Sequence, residues 1–165
     1  MIKDIETPAL LIEKSRLDDN IDRMQRQADT NNIRLRPHIK THKSPYIAKK
    51  QIGRGAVGIA CAKVGEAEVM AAHGIEDIQI ANIIIGERKI RRMKKLAEKG
   101  VKLSCCVDSP YAARSLSEIF AEDNSQINVF ILVDTGFHRC GLENYNQILN
   151  LANEIRTLRS LKLKG

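Results

Sequence analysis

The chain has 165 residues, which fits one domain of about 100–200 residues, and 43% of them are hydrophobic and 28% charged, the balance of a soluble globular protein. No run reaches the ~18 apolar residues of a membrane helix, and the first eight residues lack the apolar core of a signal peptide, so the cytoplasm is the expected compartment. A formal charge of +7 invites nucleic acid, but three Tyr, three Phe and no Trp leave few rings to stack on bases, and neither nucleic acid nor membrane is expected as a partner.

Along the chain, Leu17, Ile21 and Met24 recur at helical spacing and predict a helix over 14–31. A strand follows over 33–36. Ser44-Pro45 then gives an N-cap with proline at the first helical position, opening a helix that closes near Gly53 or Gly55. The next strand is 56–61. A helix over 64–73 carries Glu66 and Glu68 in its first turn and Gly74 at its end. After a strand at 77–82 comes a basic helix over 86–99, stopped by Gly100. Ile90, Met93, Leu96 and Ala97 form its apolar stripe, so the cations of Arg88-Lys-Ile-Arg-Arg-Met-Lys-Lys95 are read as a solvated outer face. Such a face also helps attract anionic small molecules. The strand at 102–108 leads into Ser109-Pro110, a second capping signature, and a helix to about 123. The most apolar strand is 128–134; a helix over 144–158 and the beginning of a strand at 161–164 complete the pattern.

Strand–helix alternation predicts a parallel sheet with helices on its faces. Several strands are apolar throughout, as expected when both sides are buried. The polar residues that interrupt them fall at the C-terminal ends: His38 and Lys40, Lys63, Asn82, Asp108, and Asp134 with Arg139. In a (β/α) barrel those positions converge on one mouth; an open doubly wound sheet would use one crevice, and no GxGxxG or Walker loop is present. The expectation is therefore a parallel (β/α) barrel, incomplete, with six of the eight strands that a barrel of about 250 residues carries. Either the chain is the N-terminal piece of a longer protein or another chain completes it. Unpaired edges and uncovered apolar surface predict self-association, as a homo-oligomer or with the complementary part.

Four cysteines, Cys61, Cys105, Cys106 and Cys140, show no CxxC or Cys/His ligand spacing. The first three sit in apolar strands, where cysteine acts as a small hydrophobe. The chemistry points elsewhere, to Arg36-Pro-His-Ile-Lys-Thr-His-Lys43, where a strand runs out before a helix. Lys40 and Lys43 beside His38, His42 and Arg36 suggest a local positive field that depresses a lysine's pKa. A lysine held near ~7–8 is a usable nucleophile or proton carrier.

Five segments in order carry a resemblance: Glu6-Thr-Pro-Ala-Leu-Leu-Ile-Glu13, the 36–43 motif, Cys61-Ala-Lys-Val-Gly-Glu-Ala-Glu68, Ile80-Ala-Asn82 and Val133-Asp-Thr-Gly-Phe-His-Arg-Cys-Gly141. Together they resemble the N-terminal barrel of the D-threonine aldolase and D-serine dehydratase group, fold-type III enzymes of the alanine racemase superfamily. The resemblance covers essentially the whole chain, 1–165, as a truncated barrel domain that binds pyridoxal 5′-phosphate. It implies a lyase of D-amino acids, by retro-aldol cleavage or by elimination, with racemisation or a non-catalytic remnant as alternatives.

Carried over by position, the resemblance makes Lys40 the residue that links to the cofactor and later moves a proton at the substrate's α-carbon. Lys43 is the rival in the same motif. Arg139 matches the arginine that bonds the cofactor's phenolic oxygen; its bland alternative is an ion pair with Asp134 or another nearby carboxylate. His38, two residues before Lys40, is expected to point the same way in an extended segment, either contacting the cofactor or packing the barrel interior. Asn82 and His138 are weaker candidates for the mouth, His42 has no task, and Thr41 and Asp134 are read as structural hydrogen-bonders. In the family the main loops gripping the cofactor's phosphate follow later barrel strands and the divalent-metal ligands belong to a C-terminal β-domain, none of which this sequence contains. No metal site is therefore expected here, and cofactor retention should be weak or absent unless a partner supplies the rest. The opening strand, 9–13, is expected to pair with that missing domain.

Overall fold

In a computed structural model, residues 4–165 are described; the first three residues, part of the stretch read as lacking a leader, lie outside them. The elements alternate as the sequence predicts: α1 (Lys14–Thr30), α2 (Pro45–Gly53), β1 (Ile59–Cys61), α3 (Val64–Ala72), β2 (Asp77–Ile83), α4 (Glu87–Glu98), β3 (Lys102–Val107), α5 (Pro110–Ala121), β4 (Ile127–Ile131), α6 (Tyr145–Thr157) and β5 (Leu161–Leu163). Both serine–proline caps form. Ser44 Oγ accepts from the Ile47 N–H at 3.4 Å and Ser109 Oγ from the Ala112 N–H at 3.3 Å, each relieving one orphan donor of a helix start.

The five strands pair in sequence order, every pair parallel. The expected strand at 33–36 forms only as a fringe of β1. The Val57 and Ala60 N–H groups donate to Leu35 and Pro37 carbonyls at 2.9 and 2.8 Å, and His38 makes a single parallel bridge with Ala60. Two prolines in the neighbourhood, Pro37 and Pro45, bring no N–H of their own and bracket the place where pairing stops. Counting that fringe, six parallel positions are present. The 9–13 segment is not a strand among the described residues, and Leu10, Leu11 and Ile12 stand exposed.

Burial bears out the two-sided expectation for β1 and β3, buried at every position but Lys102, and limits it for β2 and β4. Helices cover one face of the sheet, where Ile78, Ile80, Val129 and Phe120 are fully buried with Leu116 and Ile155. The other face of β2 and β4, at Gln79, Asn128 and Phe130, is only half-buried, so burial alternates there. A closed barrel would pack that concave face against itself. The basic face of α4 is also less solvated than its sequence suggests. Lys94 is buried and donates to the Ile119 carbonyl at 2.9 Å beside Glu122 and Asp123, Arg91 pairs Glu122, and Arg92 pairs Glu68. Among the described residues, no helix is long and apolar enough to cross a membrane.

Candidate active site

Because all strands run the same way, their C-terminal ends share one rim, and the polar residues read from the sequence stand on it. At its edge, the chain leaves the sheet after His38 and curls into a single 3-10 turn, Ile39–Thr41. Ile39 is fully buried and anchors the turn, while Lys40 is exposed. The Lys43 and His42 N–H groups both donate to the Ile39 carbonyl, at 2.7 and 3.2 Å. This curl overturns the expectation that His38 and Lys40 extend in parallel. Instead the Lys40 backbone N–H donates to His38 Nδ1 at 3.2 Å, which leaves the proton of the neutral ring on Nε2.

The motif's cations do not form one positive cluster. Arg36 turns away to Asp77 at the start of β2, with Nη1–Oδ1 2.7 Å, and passes over Gly58. A Cβ at Gly58 would sit 2.5 Å from the Asp77 carbonyl oxygen, so only glycine admits this crossing. Lys43 reaches Glu66 at 3.4 Å. Lys40 has no carboxylate partner among the described residues. Burial first, then the neighbouring Lys40, lowers the pKa of His38, with Glu66 opposing; burial likewise lowers that of His42, against the pull of Gln51 and Ser44. Both rings are therefore neutral near pH 7.

Two strands further along the rim, β2 loses register between Ile80 and Ile83. Asn82 fills that irregularity: its Nδ2 donates to the Ala62 carbonyl at 3.2 Å and its Oδ1 accepts from the Ile83 N–H at 3.0 Å. Its amide thus pins β2 to the β1–α3 turn.

After β4, the loop 132–142 is closed by backbone bonds from Asp134 N–H to the Leu142 carbonyl (3.0 Å) and from Leu142 N–H to the Leu132 carbonyl (2.9 Å). Asp134 Oδ1 accepts from the Gly136 and Phe137 N–H groups at 2.8 Å each, and these bonds hold its carboxyl below the usual range. Asp134 is thus a hydrogen-bond acceptor that shapes the loop, and among the described residues no ion pair ties it to Arg139. Arg139 is exposed and stacks over the Phe137 ring at 5.4 Å. His138, in the left-handed region at φ 52°, faces Glu143, with Nδ1–Oε1 2.9 Å. Donor atoms of Asp134, His138 and Glu143 lie within 4.8 Å of one another. The chain thus does bring together three groups of metal-ligating type, none of them cysteine and only one a histidine, so no Cys/His spacing marks them. Lys40 and Arg139 stand on the same rim with β1, β2 and β3 between their strands, and no hydrogen bond or ion pair joins them among the described residues.

A parallel strand–helix sheet with its polar side chains gathered on one C-terminal rim places the chain in the (β/α) barrel class. Residues 12–165 match the alanine racemase N-terminal domain, and the chain belongs to that family. It is 37% identical to a D-threonine aldolase of an Arthrobacter species over 161 residues, 98% of this chain and 42% of that protein. It is 36% identical to the D-threo-3-hydroxyaspartate dehydratase of Delftia sp. (strain HT23) over 138 residues, 84% of this chain and 36% of the relative. The crystal structure of D-threonine aldolase from Filomicrobium marinum superposes with a TM-score of 0.93 at 36% identity, covering 97% of this chain and 43% of that one. The chain therefore spans about two fifths of the length of the D-threonine aldolases it resembles. The sheet is part of an alanine racemase-type barrel.

Proposed function

We propose that the chain forms the cofactor-holding part of a pyridoxal 5′-phosphate-dependent lyase that acts on D-amino acids with oxygen on the β-carbon. The observation that carries this reading is Lys40, an exposed amine on the strand-end rim that no carboxylate neutralises among the described residues. The donor set fits the group: an amine for its aldehyde, a guanidinium with no acidic partner among the described residues for its ring oxygen, and a neutral imidazole between backbone and rim. When bound, the cofactor draws off the negative charge that develops on the substrate's α-carbon.

In this reading Lys40 Nζ would hold the aldehyde end of the group and would move a proton at the substrate α-carbon. Arg139 holds the ring oxygen through a planar fork that a lysine lacks. His38, its Nδ1 occupied by the Lys40 N–H, offers Nε2–H as a donor to the mouth. Asn82 shapes the wall. Cleavage between the α- and β-carbons would give glycine and an aldehyde; elimination of the β-hydroxyl is the companion reaction. The similarity to an aldolase and to a dehydratase supports a lyase over a racemase. The remaining barrel units and a C-terminal β-domain would come from a longer protein or a second chain.

The test is reduction of the chain with borohydride in the presence of pyridoxal phosphate, followed by peptide mass mapping. The expected result is a pyridoxyl mass on the peptide containing Lys40, absent in Lys40→Ala. Equal labelling of lysines across the surface would overturn the reading.

A further inference from the structure

We infer that Glu66 is a positioning residue that latches the Lys40 turn to the β1–α3 turn and to the end of β2. It deepens the proposed function, and its consequence for Lys40 rests on that reading. Glu66 lies in the first turn of α3 and is only 8% exposed. A carboxylate so buried is costly unless it is paired. Its two oxygens serve different elements. Oε2 accepts the Ala62 N–H at 2.8 Å, a bond by which α3 satisfies a donor just before its own start. A helix-start role accounts for that oxygen alone. Oε1 faces the Lys43 ammonium at 3.4 Å, and Lys43 ends the turn that carries Lys40.

Two further observations make this a latch. Lys43 sits at φ 50°, a left-handed conformation that is unfavourable for a non-glycine residue and so needs contacts to hold it. Its N–H bond to the Ile39 carbonyl and its ion pair with Glu66 are such contacts. On the other side, the Ala62 peptide that gives its N–H to Glu66 gives its carbonyl to Asn82. Lys43, Glu66, Ala62 and Asn82 therefore form one continuous path along the rim. Among the described residues Lys40 itself has no such tether, so its aim depends on the turn around it.

The test compares Glu66→Gln, Lys43→Met and the double variant in the full chain, by hydrogen exchange and by the pyridoxal phosphate–borohydride labelling described above. Both single variants should speed exchange at the His42 and Lys43 amides about three- to tenfold. The double variant should add nothing further, and the Leu132 amide should not change. The fraction of label on Lys40 should fall by a similar factor, whereas a merely structural role would leave it unchanged per folded molecule. Unchanged exchange at His42 and Lys43 in both single variants overturns the latch; Lys43→Met, at an exposed position, keeps this decisive if Glu66→Gln does not fold. Faster exchange with unchanged labelling overturns the positioning role. Absence of label on Lys40 in the unmodified chain would sink the proposed function instead, and exchange would still decide the latch.

Discussion

The backbone N–H of Lys40 donates to the ring Nδ1 of His38 at 3.2 Å, so the turn carrying the candidate amine is built on an unprotonated imidazole. A proton on Nδ1 would abolish that bond and set a second positive charge beside Lys40.

A pH dependence follows. Burial, then Lys40, holds the His38 pKa below 6.5, with Glu66 acting the other way, and burial does the same for His42. In the unfolded chain both rings take up protons near pH 6.5 while the folded chain still resists, so the unfolded state binds more protons and stability rises with pH. Above that range both states are neutral and the effect vanishes. Carboxylates change over nearer pH 4, so the window just below 6.5 belongs to the histidines. Urea midpoints at pH 7.5 and 5.5 should show a loss at the lower value, and a His38→Gln, His42→Gln double variant should flatten it. An equal or higher midpoint at pH 5.5 in the unmodified chain contradicts the assignment.

Gly141 sits at φ 102°, and a Cβ there would lie 2.8 Å from the Asp134 backbone nitrogen. Gly141→Ala should therefore open the 132–142 loop, at a cost of about 1–2 kcal/mol for the left-handed backbone alone. Cys140 is half-buried, whereas Cys61, Cys105 and Cys106 are buried, with burial pushing the Cys61 thiol up to about 12. A thiol reagent should modify Cys140 first, and faster in the variant, while the other three stay slow. An unchanged Cys140 rate would mean that the loop does not depend on this glycine.

Much of this site was legible from short-range rules. Proline after serine, glycine after a helical run and alternation of strand and helix each act locally, and Ser44, Ser109, Gly74 and Gly100 all mark the ends they promise. The rim followed from strand direction alone. What escaped was decided across the chain. Arg36 looked like part of a basic cluster because it is near Lys40 in sequence, yet its partner Asp77 is 41 positions away. Glu66 read as an ordinary first-turn acid, since nothing local says that its second oxygen meets Lys43. The 3-10 curl at Ile39 depends on burying that one side chain, which a two-residue alternation does not reveal.

Lys94 illustrates the same point energetically. Its amine lies across the C-terminal end of α5, on the Ile119 carbonyl, a group with no partner inside its own helix. Lys94→Met keeps the stem and removes the donor, leaving that carbonyl unpaired. The melting temperature should fall by several degrees, with little change for Lys95→Met on the exposed side of the same helix. Equal effects at the two positions would show that the buried bond contributes nothing of its own.

The sheet, finally, has two open margins among the described residues, the 35–38 fringe and β5, which presents unpaired backbone groups on one side. Near the first margin, Leu10 is 91% exposed and Leu11 58%, far more than isolated surface leucines need explaining, because they are consecutive. Water is a poor neighbour for that much hydrocarbon, so we expect the chain to associate with itself or with a complementary part of the barrel. Sedimentation velocity across a hundredfold concentration range should show a growing s-value, and a Leu10→Lys, Leu11→Lys double variant should shift it back toward the monomer. A single concentration-independent monomer boundary for the unmodified chain would rule the association out.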